Sequence, residues 1–257
     1  MNPQTILLYD GTFDGFLTCV FTVYDQNISD VVIQHYHLDH NQLFSVIEDV
    51  ITQKHLAHRV WKGFKEKTTK NEQNDFFKAF LSEIKGVENT LLSYMRSIFN
   101  RKSIKTIDFS NKDILKISQV ARMVAREKHR MEAFVRFQLT KDEIYVATVA
   151  PDFNVLPLII KHFRDRYADQ KWLIFDTSRN YGIFYNLKTV EMIRFEDKKG
   201  LDPKCISKNH NLQESNFQEL WNVYYKNVNI SSRNNKKLHE QHLPKRYWKY
   251  LTEKNGM

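Results

Sequence analysis

Apolar positions in the first hundred residues alternate between short runs and helical periodicity. Residues 5–9 form an apolar strand pattern, and a turn at 10–12 leads into an apolar helix that runs to about Tyr24. Thr12 is suited to cap that helix, because its hydroxyl can accept a hydrogen bond from an unpaired backbone N–H. Further patterns are a strand at 30–38 and helices at 54–68, 71–86 and 87–100. This part of the chain is therefore predicted to be mostly helical, with a short strand pair.

The pattern changes after a polar stretch at 100–111. A long amphipathic helix is predicted at about 112–133. Beyond it, elements follow in the order ββαβββ, at 134–139, 143–150, 153–167, 171–178, 181–187 and 189–196. This order favours an antiparallel sheet with one helix on its face, and Asn154 is placed to cap that helix. A polar link at 197–213 precedes two helical patterns, at 215–230 and 234–253.

Together these elements predict an α+β protein. Residues 1–110 form the mostly helical N-terminal part, and residues 111–257 form an α+β core with a basic helical tail; one continuous domain is the alternative. The 257 residues are 42% hydrophobic, which is enough for a sizeable core. Apolar runs fall short of the roughly 18 residues that span a bilayer, so no membrane association is expected. The lack of an export signal, with only Cys19 and Cys205, favours the cytoplasm.

Positive charge is concentrated at the C-terminal end. The formal net charge is +9, and residues 226–257 contain eight Lys and Arg against Glu240 and Glu253. Clustered positive charge attracts phosphate polymers, because binding releases their condensed counterions. The charge distribution therefore favours contact with nucleic acid, and a solvated tail is the structural alternative.

Within this tail, the segment 243–251 mixes cations with aromatic rings. Lys245, Arg246 and Lys249 are interleaved with Tyr247, Trp248 and Tyr250. Such a segment can contact a nucleic-acid backbone while a ring, here Trp248 or Tyr247, stacks on a base. Alternatively, Trp248 and Leu251 anchor the last helix to the core and the cations stay hydrated. The two roles are compatible.

The helix predicted at 112–133 has an apolar face and a cationic face. At about 100° per residue, one arc holds Arg122, Arg126, His129 and Arg130. No carboxylate follows these cations at i+4, the spacing that would neutralise them on a helix. Arg122, Arg126 and Arg130 are therefore candidate phosphate contacts, and a solvated helix face is the alternative.

Glu127 lies at the edge of the apolar face of the same helix. A partly buried carboxylate needs a cationic partner, and we expect Arg136 to supply it. If 134–139 is a strand, Val135 and Phe137 face the core and Arg136 points the other way. The alternatives are that Arg136 binds a ligand phosphate, or that Glu127 is a catalytic base.

Three further side chains are candidates for catalysis. Asp152 lies in the segment APDFN, after a strand and before a helix, where it can act as a base or bind a cation. A turn or helix-cap role is simpler for Asp152. His129 precedes this segment and His162 follows it on the next predicted helix, and each can act as an acid or base if it is near the site.

Motifs for metals and cofactors are incomplete. The segment HYHLDH at 35–40 places His35 and His37 on one strand face, but no further ligand completes a tetrahedral zinc site. The segment DGTFDG at 10–15 lacks the lysine of a phosphate-binding loop, and no nucleophile motif is present. We therefore expect no metal and no cofactor, and the sequence leaves open whether the protein is an enzyme.

Five collinear segments resemble a known family. They are YDGTFDGFLTCVF at 9–21, RVWKGF at 59–64, REKHRMEAFVRF at 126–137, APDFNVLPLIIKHFRDRY at 150–167 and LPKRYWKYLTE at 243–253. The chain resembles, nearly end to end, the bacterial probable DNA metabolism protein family, which carries the domain of unknown function 4130. The resemblance implies a gene beside that of a radical-SAM protein of DNA repair or modification, and a related domain fused to uracil-DNA glycosylases. It supplies no established catalytic residues.

The function predicted from these features is a nucleic-acid-binding accessory protein in DNA repair or base modification. Its partners would be DNA and, from the resemblance, the radical-SAM protein. One alternative is a lesion-processing enzyme, glycosylase-like or lyase-like, that uses Glu127, His129 or Asp152. The other is a protein-interaction scaffold whose basic surface has no ligand.

Overall fold

The computed structural model describes residues 4–36, 45–100, 112–194 and 243–251. The chain divides into two compact units, Met1–Ala125 and Arg126–Met257, hereafter the N-terminal and C-terminal units. The division falls inside the long helix α5, Lys112–Phe134. The sequence boundary expected at 110/111 and the helix predicted at 215–230 lie outside the described residues, as does Cys205. No helix in the described ranges is both long and apolar enough to cross a bilayer.

The N-terminal unit contains a three-stranded parallel sheet. Its strands are β1 (Thr5–Tyr9), β2 (Val31–His35) and β3 (Val46–Asp49), in the order β2-β1-β3. The central strand β1 is apolar and buried over most of its length, as expected for a parallel strand that is covered on both faces. The strands β1 and β2 match the predicted pair, and β3 is an additional strand.

Helices make up the rest of the N-terminal unit and follow the predicted periodicity. They are α1 (Phe13–Asp25), α2 (Lys54–Lys67), α3 (Lys70–Phe80) and α4 (Val87–Phe99), followed by the first part of α5. Thr12 caps α1 as predicted, because its hydroxyl accepts from the Gly15 N–H at 3.0 Å. The helix α3 begins in a capping box and ends at Phe80, short of the predicted end at Gly86. Gly86 instead has φ +79° and precedes α4.

The side chain of Asp10 stabilises the turn after β1 through hydrogen bonds. Asp10 Oδ1 accepts from the Thr12 N–H at 2.9 Å and from its hydroxyl at 2.6 Å, and Oδ2 accepts from the Thr52 hydroxyl at 2.8 Å. Although partial burial favours the neutral form, these bonds lower the pKa of Asp10 below its usual value. Gly11 has φ +79° with the His35 imidazole packed against it. The Asp10 carboxylate therefore fixes the turn from β1 into α1 and links it to Thr52.

The C-terminal unit contains a five-stranded sheet in the order β4-β5-β6-β7-β8. The strands are β4 (Gln138–Leu139), β5 (Tyr145–Val149), β6 (Trp172–Asp176), β7 (Tyr181–Tyr185) and β8 (Val190–Arg194), and α6 (Leu156–Arg166) connects β5 to β6. Strands β5 and β6 are parallel, whereas the other pairs are antiparallel. The expectation of an antiparallel sheet was therefore wrong for this pair, because the helical crossover brings the chain back to the end of the sheet where β5 began, and β6 then runs in the same direction as β5. The α+β class is confirmed.

Aromatic packing joins α6 to the sheet. Phe137 contacts the rings of Phe163 and Tyr167 at 5.6 and 5.3 Å between centroids, and the indole of Trp172 is fully buried beside them. Val135 is also buried, so the prediction that Val135 and Phe137 face the core is confirmed. The strand predicted at 134–139 is shorter than expected, because α5 continues to Phe134 and β4 begins only at Gln138.

The start of α6 differs from the prediction in its cap. Val155 occupies the N-cap position without a side-chain hydrogen bond, and a proline follows in the first turn. The Asn154 side chain instead accepts from the Tyr181 hydroxyl on β7. Asn154 therefore ties the loop after β5 to the neighbouring part of the sheet and does not cap the helix.

Candidate nucleic-acid interface

The parallel pair brings two loops of the C-terminal unit to one edge of the sheet. The loop 150–154 follows β5, and the loop 177–180 follows β6. Parallel strands present their carboxyl ends at the same edge, which is where open α/β sheets commonly bind ligands. Side chains from the second half of α5 and from a short 3₁₀ helix, Lys245–Tyr250, contact the loop 150–154. Side chains distant in sequence therefore meet at this edge.

Glu127 of α5 is the buried centre of this arrangement. It is 1% exposed, and each of its oxygens accepts two hydrogen bonds. Oε1 accepts from the Tyr247 hydroxyl and from the Asp152 backbone N–H at 2.9 Å. Oε2 accepts from Arg130 Nη1 at 3.4 Å and from Arg246 Nη2 at 3.5 Å. Four donors fill the acceptor positions of one carboxylate, so the burial of its charge is compensated.

The predicted partner of Glu127 was wrong. The cations that pair with it in the described part of the chain are Arg130 and Arg246, whereas Arg136 Nη1 donates to the carbonyls of Ala133 and Val135 at 2.9 and 3.3 Å. Because α5 runs to Phe134, Arg136 lies just past the helix end and its guanidinium turns back toward the last carbonyls, which favour a cation.

Tyr247 connects the 3₁₀ helix to Glu127. It is 2% exposed, donates its hydroxyl proton to Glu127, and accepts from Arg246 Nη2 at 2.7 Å. Burial, and then the Glu127 carboxylate, raise the pKa of the Tyr247 hydroxyl above its usual value, so it remains a donor at neutral pH. Tyr247 cannot stack on a base while it is buried in this way. Of the two rings that were expected to stack on a base, Trp248 therefore remains the candidate.

Arg246 and Asp152 form the exposed side of the same cluster. Arg246 Nη2 lies 2.5 Å from Asp152 Oδ2, and the two side chains are 43% and 47% exposed. The Arg246 guanidinium also lies 4.7 Å from the centre of the Tyr247 ring. One face of the guanidinium therefore meets buried groups of the fold, and the pair with Asp152 is open to water.

A second buried carboxylate, Asp176, fixes the neighbouring loop. It is fully buried at the end of β6 and pairs with Arg179 at 2.9 Å, and it accepts from the Ser178 N–H at 2.8 Å. Burial raises the pKa of Asp176, and the Arg179 charge limits the rise. Arg179 also donates to the carbonyls of Pro151 and Asp152, each at 3.1 Å. The sequence prediction missed this pair, although a carboxylate that ends an apolar strand was a usable signal.

The remaining cations of the predicted interface are exposed. On α5, Arg122, Arg126 and His129 are exposed, whereas Arg130 is half-buried beside Glu127. On the 3₁₀ helix, Lys245 and Lys249 are exposed and lie over rings, Lys245 at 5.9 Å from Trp248 and Lys249 at 4.8 Å from Tyr250. In the predicted cationic arc of α5, Arg122, Arg126 and His129 are therefore exposed, whereas Arg130 pairs with the buried Glu127.

Buried leucines and an indole hydrogen bond hold the 3₁₀ helix in place. Leu243 and Leu251 are buried on either side of it, and the half-buried Trp248 donates from its indole N–H to the Leu243 carbonyl at 3.1 Å. The anchoring role expected for Trp248 and Leu251 is therefore shared with Tyr247 and Leu243. The part of the tail beyond residues 243–251 lies outside the described residues.

The histidine candidates lie apart from the Glu127 hydrogen bonds. His162 Nδ1 is 3.9 Å from Glu132, which also pairs with Lys128 at 2.7 Å, and its ring packs on Phe163. His129 is exposed on α5. Neither histidine donates to Glu127, whose four donors are given above.

Candidate metal ligands do not cluster in the described ranges. Among these residues, no three His, Cys, Asp or Glu side chains lie close enough together to hold a metal ion. His35, from the HYHLDH segment, packs edge-on against Tyr9 with 5.9 Å between ring centroids, and His37 lies outside the described residues.

Comparisons with known proteins identify a family. A pGpG-specific phosphodiesterase, PggH from Vibrio cholerae, aligns with a TM-score of 0.35 and 11% identity, over 81% of this chain and 98% of that chain. A similarity this low supports no inference about this chain. Curated protein sequences give no match. The family described as a domain of unknown function, DUF4130, matches residues 85–253, more than half of the chain. The protein therefore belongs to the DUF4130 family, and the match includes the segments at 126–137, 150–167 and 243–253, whereas the segments at 9–21 and 59–64 precede it.

Proposed function

We propose that the C-terminal unit binds the phosphate backbone of nucleic acid through its 3₁₀ helix. The observation that supports this most directly is the composition of residues 243–251, which hold three cations and no acidic side chain. Two of the cations, Lys245 and Lys249, are exposed and adjacent to aromatic rings. Lysines that meet phosphates beside rings that stack on bases are the usual means of binding single strands.

We assign binding roles to some of the candidate residues and structural roles to the others. Lys245, Lys249 and Trp248 are the proposed contacts of the 3₁₀ helix, and Arg126 is proposed as a further phosphate contact of the same unit. Arg122 belongs to the N-terminal unit and is proposed as a separate phosphate contact there. Arg130 is assigned a structural role, because it pairs with the buried Glu127. Arg246 also supports the site, since its guanidinium joins Glu127, Tyr247 and Asp152.

An accessory role fits the geometry of Glu127 better than a catalytic one. A general base must have a free acceptor position within reach of a substrate proton. Both oxygens of Glu127 already accept two hydrogen bonds, and the side chain is buried. We therefore propose an accessory function in DNA repair or base modification. A lesion-processing enzyme that uses Asp152 or His129 is the alternative, and turnover of lesion-bearing oligonucleotides by the purified protein would favour it.

The proposed protein partner is the radical-SAM protein, and this part of the proposal rests on the family resemblance. Co-purification of the untagged chain with a tagged radical-SAM protein from the same genome would support it. The absence of a complex, with and without DNA, would leave nucleic-acid binding as the whole of the proposal.

Replacement of the two exposed lysines tests the nucleic-acid interface. We expect the double variant Lys245→Gln and Lys249→Gln to bind a labelled single-stranded oligodeoxynucleotide more weakly than the parent. Each lost phosphate contact should reduce the slope of log K against log salt by about 0.7, so both should reduce it by about 1.4. Fluorescence anisotropy at several salt concentrations measures the slope.

The matched control is the double variant Lys141→Gln and Lys188→Gln. It removes the same charge from two exposed positions in the same unit. We expect the control to keep most of the parent slope, since neither lysine belongs to the 3₁₀ helix. Equal loss in the two double variants would show that only the total charge matters. An unchanged slope in the folded Lys245 and Lys249 variant would exclude the 3₁₀ helix from the interface.

A further inference from the structure

The backbone of the loop 150–154 is held without the Asp152 side chain. The Asp152 N–H donates to Glu127 at 2.9 Å, and the carbonyls of Pro151 and Asp152 each accept from Arg179 at 3.1 Å. Glu127 and Arg179 are themselves fixed, the first by its four donors and the second by its pair with buried Asp176. The loop conformation therefore does not require a carboxylate at position 152.

The Asp152 carboxylate nevertheless lies directly on Arg246. The distance from Oδ2 to Nη2 is 2.5 Å, and the two side chains are almost equally exposed. Every hydrogen bond and ion pair of Arg246 within the described residues uses this same nitrogen, with Glu127 and Tyr247 on the inner side. A guanidinium has five donors in a planar fork, so much of its capacity faces the solvent.

We propose that Arg246 is a binding position for a phosphodiester anion, and that the Asp152 carboxylate occupies this position in the free protein. Binding of a nucleic-acid phosphate would then exchange one oxyanion for another on the same guanidinium. The inference rests on the proposed function, because it places this phosphate next to those that Lys245 and Lys249 contact. It gives Asp152 the role of a competitor that weakens phosphate binding.

Two physical arguments support the exchange. An exposed ion pair contributes little to stability, so the Asp152 carboxylate can leave at small cost. Arg246 does not leave with it, because Glu127, the Tyr247 hydroxyl and the Tyr247 ring hold the guanidinium from the inner side. A phosphate then meets an arginine that is already positioned, and bidentate contact with a phosphate is geometrically favourable. Asp152 and a phosphate repel each other across a few ångströms, so the two anions compete.

The decisive variant is Asp152→Asn, which keeps the size of the side chain and the backbone bonds of the loop. We expect it to bind the labelled oligodeoxynucleotide about three- to tenfold more tightly than the parent at low salt, because the competing charge is gone. The salt slope should become steeper by up to about 0.7, the value of one additional phosphate contact on a single strand. The variant should melt within a few degrees of the parent.

Three further variants separate this inference from simpler explanations. Asp165→Asn removes the same charge from an exposed residue of α6, and its binding should change much less. Asp152→Ser should reproduce the gain, which shows that the asparagine amide is not its cause. The gain should disappear when Asp152→Asn is combined with Arg246→Gln, provided that the double variant still melts cooperatively.

The possible outcomes distinguish this inference from the proposed function. If Asp152→Asn melts normally and binds no more tightly than the parent, or gains no more than Asp165→Asn, the exchange is excluded. If the Lys245 and Lys249 variant still loses affinity in that case, the proposed function stands without it. If the parent binds no oligonucleotide at any salt concentration, both proposals fail together. A large loss of stability in Asp152→Asn would show that Asp152 is a structural partner of Arg246, and it would also exclude the exchange.

Discussion

The hydrogen bond between Tyr247 and Glu127 should be one of the most important single contacts in the C-terminal unit. The substitution Tyr247→Phe removes one hydroxyl and leaves the buried ring, which packs 6.5 Å from Phe134, in place. Glu127 would lose one of its four donors inside the fold, where water does not replace it. The Arg246 bond to the hydroxyl, at 2.7 Å, would also be lost.

The expected magnitude follows from the different exposure of the two partners. A hydrogen bond to a charged group contributes about 1.5–3 kcal/mol, and the full amount applies to Glu127 because it is buried. Arg246 is 43% exposed, so water can replace its lost acceptor and its contribution is small. We therefore expect Tyr247→Phe to lower the free energy of unfolding by about 2–3 kcal/mol.

Urea unfolding followed by circular dichroism measures this loss, and hydrogen–deuterium exchange of peptides around residues 150–154 and 243–251 locates it. Tyr250→Phe is the matched control. Its hydroxyl lies 3.4 Å from the Thr177 hydroxyl at an exposed position, and its loss should cost less than about 0.5 kcal/mol. If the two variants lose equal stability, with exchange unchanged in both peptides, Glu127 does not depend on Tyr247 and the reasoning about the buried cluster is wrong.

Two further predictions concern the N-terminal unit. Burial raises the pKa of Glu88, which accepts from the Tyr9 hydroxyl at 3.2 Å. Because the folded pKa is the higher of the two, the stability that protonated Glu88 contributes is fully present below the unfolded pKa. This stability is lost as pH rises through the folded pKa. Urea titrations from about pH 4 to pH 7 should therefore show Glu88→Gln gaining stability relative to the parent as pH rises, and parallel profiles would contradict this. Gly11→Ala should lose about 2–4 kcal/mol of unfolding free energy, because φ is +79° and a Cβ would lie 2.2 Å from His35 Nε2. Gly86→Ala has the same φ in open space and should lose only about 1 kcal/mol; equal losses in urea unfolding would exclude the His35 overlap.

Local sequence signals were sufficient for most of the helices. The apolar periodicity located α1, α2, α4 and α5, and Thr12 provided the cap that the sequence indicated. Periodicity and capping depend on neighbours three or four residues away, so the sequence contains them directly. The end of α3 was missed because a glycine with positive φ can follow a helix or precede one, and Gly86 precedes α4.

The strand order needed information that the local pattern does not contain. Alternation of apolar and polar residues identified the strands, but it does not state which neighbour a strand pairs with or in which direction. The parallel pairing of β5 and β6 follows from the α6 connection, and it creates the edge where the loops after Val149 and Asp176 meet. The candidate site is therefore a consequence of topology as much as of composition.

The partners of Glu127 could not be found from the sequence for a similar reason. The expected partner, Arg136, is nine residues away, whereas Tyr247 is 120 residues away and Arg246 is 119 residues away. A buried carboxylate requires compensation, and that requirement was predicted correctly. Which cation provides it depends on the packing of the 3₁₀ helix, and many arginines in a basic chain are equally suitable on sequence grounds.

The geometry of the 3₁₀ helix explains how one short segment can have both structural and binding roles. With about three residues per turn, side chains at i and i+3 lie above one another. Lys245 is therefore aligned with Trp248, Arg246 with Lys249, and Tyr247 with Tyr250. Tyr247, on the side of the helix that carries both tyrosines, is the buried anchor. Lys245 and Lys249, which lie on the other two sides, are exposed. Arg246 lies between these roles, because its guanidinium contacts the buried Glu127 on one side and the exposed Asp152 on the other. A phosphate that replaced Asp152 would thus be linked through one arginine to the carboxylate that holds the helix in place.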